Sequence, residues 1–188
     1  MASATDAIAL LESRGIKTGI HVEIQVEKSR ALIVCEWLEG HGPIVFEDLG
    51  WWMAVATAYA GGEVSPGVLN DIKDKLYYIA YDFEAEMAHA VLSTELEKYY
   101  DLPDGQVIQL GTERFRCPEV FFKPSLIGYN VKSLPVAVYD AIKGMDPDLR
   151  RELYRNVVVT GTYPTDGLVG RLQKELAALA GEQVRVVA

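Results

Sequence analysis

Residues 71–122, DIKDKLYYIAYDFEAEMAHAVLSTELEKYYDLPDGQVIQLGTERFRCPEVFF, decide how the rest of the chain is read. Ile72, Leu76 and Ile79 recur at helical spacing, and Val68 and Leu69 carry the same apolar stripe toward the N-terminus. Asp82 to Glu86 begins a second, acidic helix whose charged side reads as a solvated face. Leu102-Pro103-Asp104-Gly105 is a turn, because proline presets φ and glycine accepts positive φ. It lies between Tyr99-Tyr100 and the alternating Val107, Ile108 and Leu110, so a hairpin is expected. Cys117-Pro118-Glu119 then opens a further helix, with proline in its first turn.

Toward the N-terminus, Thr5 or Asp6 can cap a short helix running through Leu11 and ending near Gly15. Lys17 to Glu27 alternates: Ile20, Val22, Ile24 and Val26 are apolar, while His21, Glu23, Gln25 and Glu27 are polar. A half-buried strand is expected there. Ser29 and Arg30 are read as the turn that follows, Ala31 to Leu38 as a second strand, Gly40 to Pro43 as a loop, and Ile44 to Glu47 as a third strand. Gly50 to Ala60 reads as a helix, and Ser65-Pro66 opens the next with a hydroxyl cap and proline at its first position.

Toward the C-terminus, Ser133 to Lys143 is a helix stopped by Gly144, and Asp146-Pro147 caps another that runs to Arg155. Asn156 to Thr160 is a buried strand of three valines. Leu168, Leu172, Leu176 and Leu179 line one face of a helix ending at Gly181, and Gln183 to Val187 is the last strand. The order is a three-strand meander, a largely helical insertion with a hairpin, and then helices alternating with two strands.

With 188 residues the chain can bury one core, or one core with a sizeable insertion. A net charge of −9 disfavours nucleic acid and anionic membrane surfaces, which need a basic stripe. No run of apolar residues is long enough to insert into a membrane, and the first residues, MASATDAIALLESRG, do not read as a basic-then-apolar leader. Cys35 and Cys117 are read as buried, reduced thiols. His21, His41 and His89 lack metal-ligand spacing, and nothing has the arrangement of a nucleophile elbow.

Three blocks, DIKDKLYYIAYDFEAEM, LPDGQVIQLGTERFRCPEVFFKPSLIG and DLRRELYRNVVVTG, closely resemble the second half of actin, in that family's order. Weaker likeness reaches from about Ala7 to the C-terminus. The resemblance implies an α/β fold: a ribonuclease H-like, actin-like ATPase core with a mixed five-stranded sheet, plus a mainly helical insertion carrying a hairpin. Residues 1–47 and 125–188 are then the large-domain core and residues 48–124 the inserted subdomain. The family's small domain and first phosphate turn have no counterpart in this sequence.

Actins grip Mg-ATP between two phosphate-binding turns, in which glycine lets backbone N–H groups approach the phosphates. The resemblance places the second turn at Glu23-Ile24-Gln25-Val26-Glu27, where both glycines are replaced, and it puts Arg30 where actins carry a histidine near the attacking water. It therefore implies no ATP hydrolysis, no catalytic residue and no required cofactor. Lys73 and Asp74 correspond to a Lys-Glu pair at the purine and ribose, and Gly161-Thr162-Tyr163-Pro164 resembles a shortened nucleotide loop. Residual nucleoside binding at Lys73, Asp74, Gly161, Thr162 and Tyr163 stands beside a plainer reading, a solvated helix face and a strand-to-helix turn.

Trp51-Trp52 depart from the polar residues that actins resemble here. Adjacent indoles on a helix are about 100° apart and cannot both face inward, and each buries roughly 150–250 Å² when packed. Either the local fold covers the outward one or a protein partner does. The expectation is a non-catalytic actin-like structural subunit, cytoplasmic and cytoskeletal or nuclear, that docks into a larger assembly through the face left by the small domain. The alternative is an actin-like filament protein, or a fragment of one, that binds ATP or ADP with Mg. Self-assembly stays open.

Overall fold

The computed structural model describes residues 4–24, 28–35, 38–47, 65–128, 130–161 and 166–188. Helix α1 (Ala4–Ser13) leads into three strands, β1 (Thr18–Ile24), β2 (Lys28–Cys35) and β3 (Leu38–Glu47). After them come α2 (Pro66–Leu76), α3 (Phe83–Leu92), β4 (Lys98–Asp101), β5 (Val107–Leu110) and the single turn α4 (Glu113–Arg116). Two 3₁₀ turns, Pro118–Phe121 and Pro124–Ile127, precede α5 (Leu134–Lys143), α6 (Pro147–Arg155), β6 (Val157–Gly161), α7 (Leu168–Ala180) and β7 (Val186–Val187).

The main sheet has the order β3-β2-β1-β6-β7, and β4 and β5 form a separate hairpin. β1 runs antiparallel to β2 and parallel to β6, and β6 is parallel to β7. Asn156 fastens the start of β6 to β1. Its Nδ2 donates to the Thr18 carbonyl at 2.9 Å, and its own carbonyl accepts from the Ile20 amide at 2.9 Å.

One face of the sheet presents Ile20, Val22, Ile24, Val157 and Val159 to α5, α6 and α7. These helices supply Val138 and Ile142, Leu153 and Tyr154, and Leu168, Leu172 and Leu176. The same apolar cluster continues into the segment between β3 and α5, taking in Ile72, Ile79, Leu110, Val120 and Phe121. On the opposite face Leu11 of α1 packs against Val158. Burying a leucine or isoleucine side chain contributes about 1.5–3 kcal/mol, so this two-sided burial accounts for β1 as the centre of the fold.

Several local expectations change. The alternation in β1 predicts a solvated polar face, yet all seven residues are buried, His21 and Glu23 included. The reason is the covering of α1 on that side, supported by Ile8, Leu10 and Ile16. Ser29 and Arg30 are not a turn: they pair with Ile24 and Glu23. Gly40 to Pro43 is not a loop either but belongs to β3. There His41, Gly42 and Pro43 stand opposite Leu32 alone, an irregular register. Proline, which lacks an N–H, is tolerated because β3 terminates the described sheet and the ladder is interrupted there.

α2 stops at Leu76, so Ile79 is buried from an extended segment rather than from the helix. Pro118 opens a 3₁₀ turn in place of a longer helix. Leu179 is partly exposed near the end of α7, where the inward stripe has turned away from the core. The caps at Ser65, Asp82 and Asp146 form, each side chain accepting from a backbone amide in the first turn of its helix. Gly105 occupies the hairpin turn with φ 84°.

Candidate functional site

β1 and β6 are parallel neighbours whose carboxyl ends open on the same edge of the sheet, the edge where α/β sheets bind ligands. Glu23 and Ile24 end β1 beside Thr160 and Gly161 of β6. Ile24 is fully buried and lies in register with Ser29 on one side and Gly161 on the other. A β-carbon on Gly161, whose φ is 148°, would sit 1.7 Å from the Ile24 carbonyl oxygen. The glycine is therefore demanded by the approach of two strands. The same holds at Gly167, where an added β-carbon would lie 2.0 Å from the Ile79 carbonyl oxygen. The Ile79 amide donates to the Asp166 carbonyl at 2.9 Å, so both ends of the 161–167 connection are clamped.

A phosphate needs several free amides converging through glycine. At the end of β1 the chain offers instead a buried isoleucine flanked on both sides and a carboxylate, Glu23, that is 7% exposed. Among the described residues, Glu23 and Ile24 do not themselves make such a cradle. Beneath Glu23, on the same face of β1, the buried His21 ring joins the Thr160 hydroxyl, with Nε2 2.7 Å from Oγ1. The period of two in the sequence marks His21 and Glu23 only as the polar side of the strand. Their burial was legible only in the apolar stripe of α1, which needs a sheet face to cover.

Lys73 and Asp74 lie on α2. The Lys73 side chain is largely covered and Asp74 is exposed, with Nζ 3.6 Å from Asp74 Oδ1 and 3.5 Å from Asn70 Oδ1. The solvated-face reading thus describes Asp74 and not Lys73. α2 is tied to the Gly161–Gly167 connection indirectly, through the extended Tyr77–Ile79 segment and its bond to Asp166. Thr162 and Tyr163, with Trp51 and Trp52, lie outside the described residues. Among the described residues, no group of three or more His, Cys, Asp or Glu side chains could hold a metal ion, and no helix is long and apolar enough to cross a membrane.

Behind this edge lies a buried ionic clasp that the sequence reading missed. Arg171 of α7 donates from Nη2 to Glu119 Oε1 at 3.0 Å, and from Nη1 to the Ala80 carbonyl at 2.8 Å. Its Nε donates to Glu175 Oε1 at 2.7 Å, and its guanidinium lies 4.8 Å from the centre of the Phe122 ring. Burial pushes the Glu119 carboxyl up to about 7, and Arg171 pulls the other way. The signal was present: Arg171 and Glu175 fall between Leu168, Leu172 and Leu176 on the inward face of α7, where a charge must find a partner. Nearby Cys117 is free and buried, and burial raises its thiol to about 11, so it is not a reactive thiolate at neutral pH.

The family model described as actin matches residues 57–188, which include the quoted 71–122 stretch, the Gly161–Gly167 connection and the Arg171 clasp, while the weaker likeness from Ala7 to residue 56 lies outside the match. By that match, which takes in most of the 188 residues, the chain belongs to the actin family.

Proposed function

We propose that this actin-like α/β chain serves as a non-catalytic structural subunit of a larger protein assembly, cytoplasmic or cytoskeletal in setting, and does not hydrolyse ATP. The observation that carries the reading is the end of β1. There Ile24 is fully buried between two strand neighbours, and no glycine occurs from Glu23 to Glu27. Backbone amides built into a ladder are not free to turn toward a phosphate, and a buried carboxylate beside them repels one. The clamped Gly161 and Gly167 support the same view, since close backbone packing, against β1 and against the Tyr77–Ile79 segment, accounts for them.

In this proposal Trp51 and Trp52 form the docking face, and residues 1–47 and 125–188 are the rigid core that presents it, with 48–124 as the insert. Nucleoside contact by Lys73, Asp74, Gly161, Thr162 and Tyr163 belongs to the rival reading of a nucleotide-binding filament protein. Calorimetric titration of the chain with ATP and magnesium separates the two. No saturable heat is expected; micromolar affinity that depends on magnesium would overturn the proposal. Trp51→Ala combined with Trp52→Ala should leave the far-ultraviolet circular dichroism unchanged and abolish recovery of the main partner from the native source. Unchanged recovery refutes the tryptophan face.

A further inference from the structure

The hairpin formed by β4 and β5 has two unlike faces. Tyr100, Ile108 and Leu110 pack toward the main cluster. Alternation then turns Tyr99 and Val107 outward, where they are 66% and 58% exposed. With Tyr99 opposite Gln109 and Asp101 opposite Val107, the two exposed apolar side chains are diagonal neighbours, about 7–8 Å apart. Glu97 and Asp101 share their side of β4, and Gln109 Nε2 donates to Glu97 Oε2 at 2.6 Å across that surface. Asp104 stands at the turn and accepts from the Gln106 amide at 2.9 Å. From residue 93 to 111 the chain carries the acids Glu95, Glu97, Asp101 and Asp104 and the single base Lys98, which alternation places on the opposite face. Just before it, at the end of α3, Val91 and Leu92 are also exposed.

We propose that the outward face of this hairpin docks a basic, apolar-anchored segment of a partner protein: Tyr99 and Val107 provide the anchor contacts, and Glu97, Asp101 and Asp104 the charge selection. Charge decides the occupant. A second copy of the chain laid face to face would set the same carboxylates against one another in a molecule of net charge −9, and a nucleic acid or acidic peptide would meet the same repulsion. A lysine- or arginine-rich segment with large apolar side chains satisfies both components, with the aromatic anchor supplying most of the affinity. The proposal uses neither Trp51 nor Trp52 and does not depend on the proposed absence of nucleotide binding.

Fluorescence anisotropy with a short labelled peptide alternating lysine and leucine tests the proposal, with lysine–serine and glutamate–leucine peptides as comparators. The lysine–leucine probe should bind at least about ten-fold more tightly than either comparator, a difference of about 1.4 kcal/mol. Tyr99→Ser with Val107→Thr should cost about ten-fold with unchanged circular dichroism, whereas Trp51→Ala with Trp52→Ala should bind like the unaltered chain. Glu97→Lys with Asp101→Lys should turn the preference toward the glutamate–leucine probe. Equal binding of the lysine–leucine and lysine–serine probes, an unaffected Tyr99→Ser/Val107→Thr variant, or a dimer in sedimentation that this double change dissolves would each overturn it.

Discussion

α7 touches two parts of the molecule, and it holds them by different means. Against the sheet it presents Leu168, Leu172 and Leu176, all buried, to the valines and isoleucines of β1 and β6. Against the segment from Tyr77 to Phe122 it adds an arginine, with hydrogen bonds to Glu119 and the Ala80 carbonyl and with Phe122 beneath its guanidinium. Apolar contact is non-directional and scales with area. A desolvated guanidinium with fixed partners has one satisfactory geometry and tolerates no vacancy. The sheet joint therefore resists by bulk, and the clasp by fixing how one segment sits on another.

The largest effect follows from breaking the clasp. Arg171→Met leaves the Glu119 carboxyl buried without its partner, and removal of one member of such a pair costs about 3–5 kcal/mol. The loss should appear as a lowered denaturation midpoint. Hydrogen exchange should quicken first across residues 77–82 and 118–122, ahead of β1 and β6. Uniform acceleration that includes β1 would show that the two joints are one cooperative unit.

Leu172→Ala attacks the other joint. The side chain is fully buried in the main cluster, and its truncation should cost about 3 kcal/mol through lost transfer energy and the cavity left behind. Exchange should now quicken in β1 and β6. If both variants gave one exchange pattern, the contrast between the joints would fail.

Legibility in the sequence divides along the same line. The apolar stripe of α7, the three valines of β6, the hairpin turn at Leu102–Gly105 and the caps at Ser65 and Asp146 follow from period and local chemistry, and all have structural counterparts. What depended on distant partners was hidden. The polar residues of β1 alternate as if solvated, and only the covering by α1 buries His21 and Glu23. β3 runs through Gly40–Pro43 despite three breakers because its place at the sheet edge forgives them. At the candidate site, the loss of glycine between Glu23 and Glu27 was readable residue by residue. The clamping of Gly161 against Ile24 was not, since it comes from two strands far apart in sequence.

The clasp also carries a pH signature. Burial raises the Glu119 carboxyl in the folded chain from its ordinary 4.5 to about 7. Between those values the folded state holds more protons than the unfolded one. Stability from this group is thus fully present below about 4.5 and declines as pH rises through about 7. Glu119→Gln should flatten that part of the stability–pH curve while Leu172→Ala leaves its slope intact. A slope that survives in Glu119→Gln would assign the titration to another group.

The smallest effect probes how far the polar style of joining extends beyond Arg171. The Tyr78 hydroxyl donates to Glu86 Oε1 at 2.6 Å, and its ring lies 4.9 Å from the Arg114 guanidinium and 5.7 Å from the Phe115 ring. Tyr78→Phe keeps both ring contacts and deletes the hydroxyl. Half-buried, Glu86 can turn to water for a replacement partner. The cost should be about 1 kcal/mol, the net value of one hydrogen bond. Its exchange effect should be confined to the first turns of α3. A loss as large as that of Arg171→Met would mean that Tyr78 and Glu86 belong to the clasp, which would then span the whole 77–122 segment rather than the single arginine that now defines it.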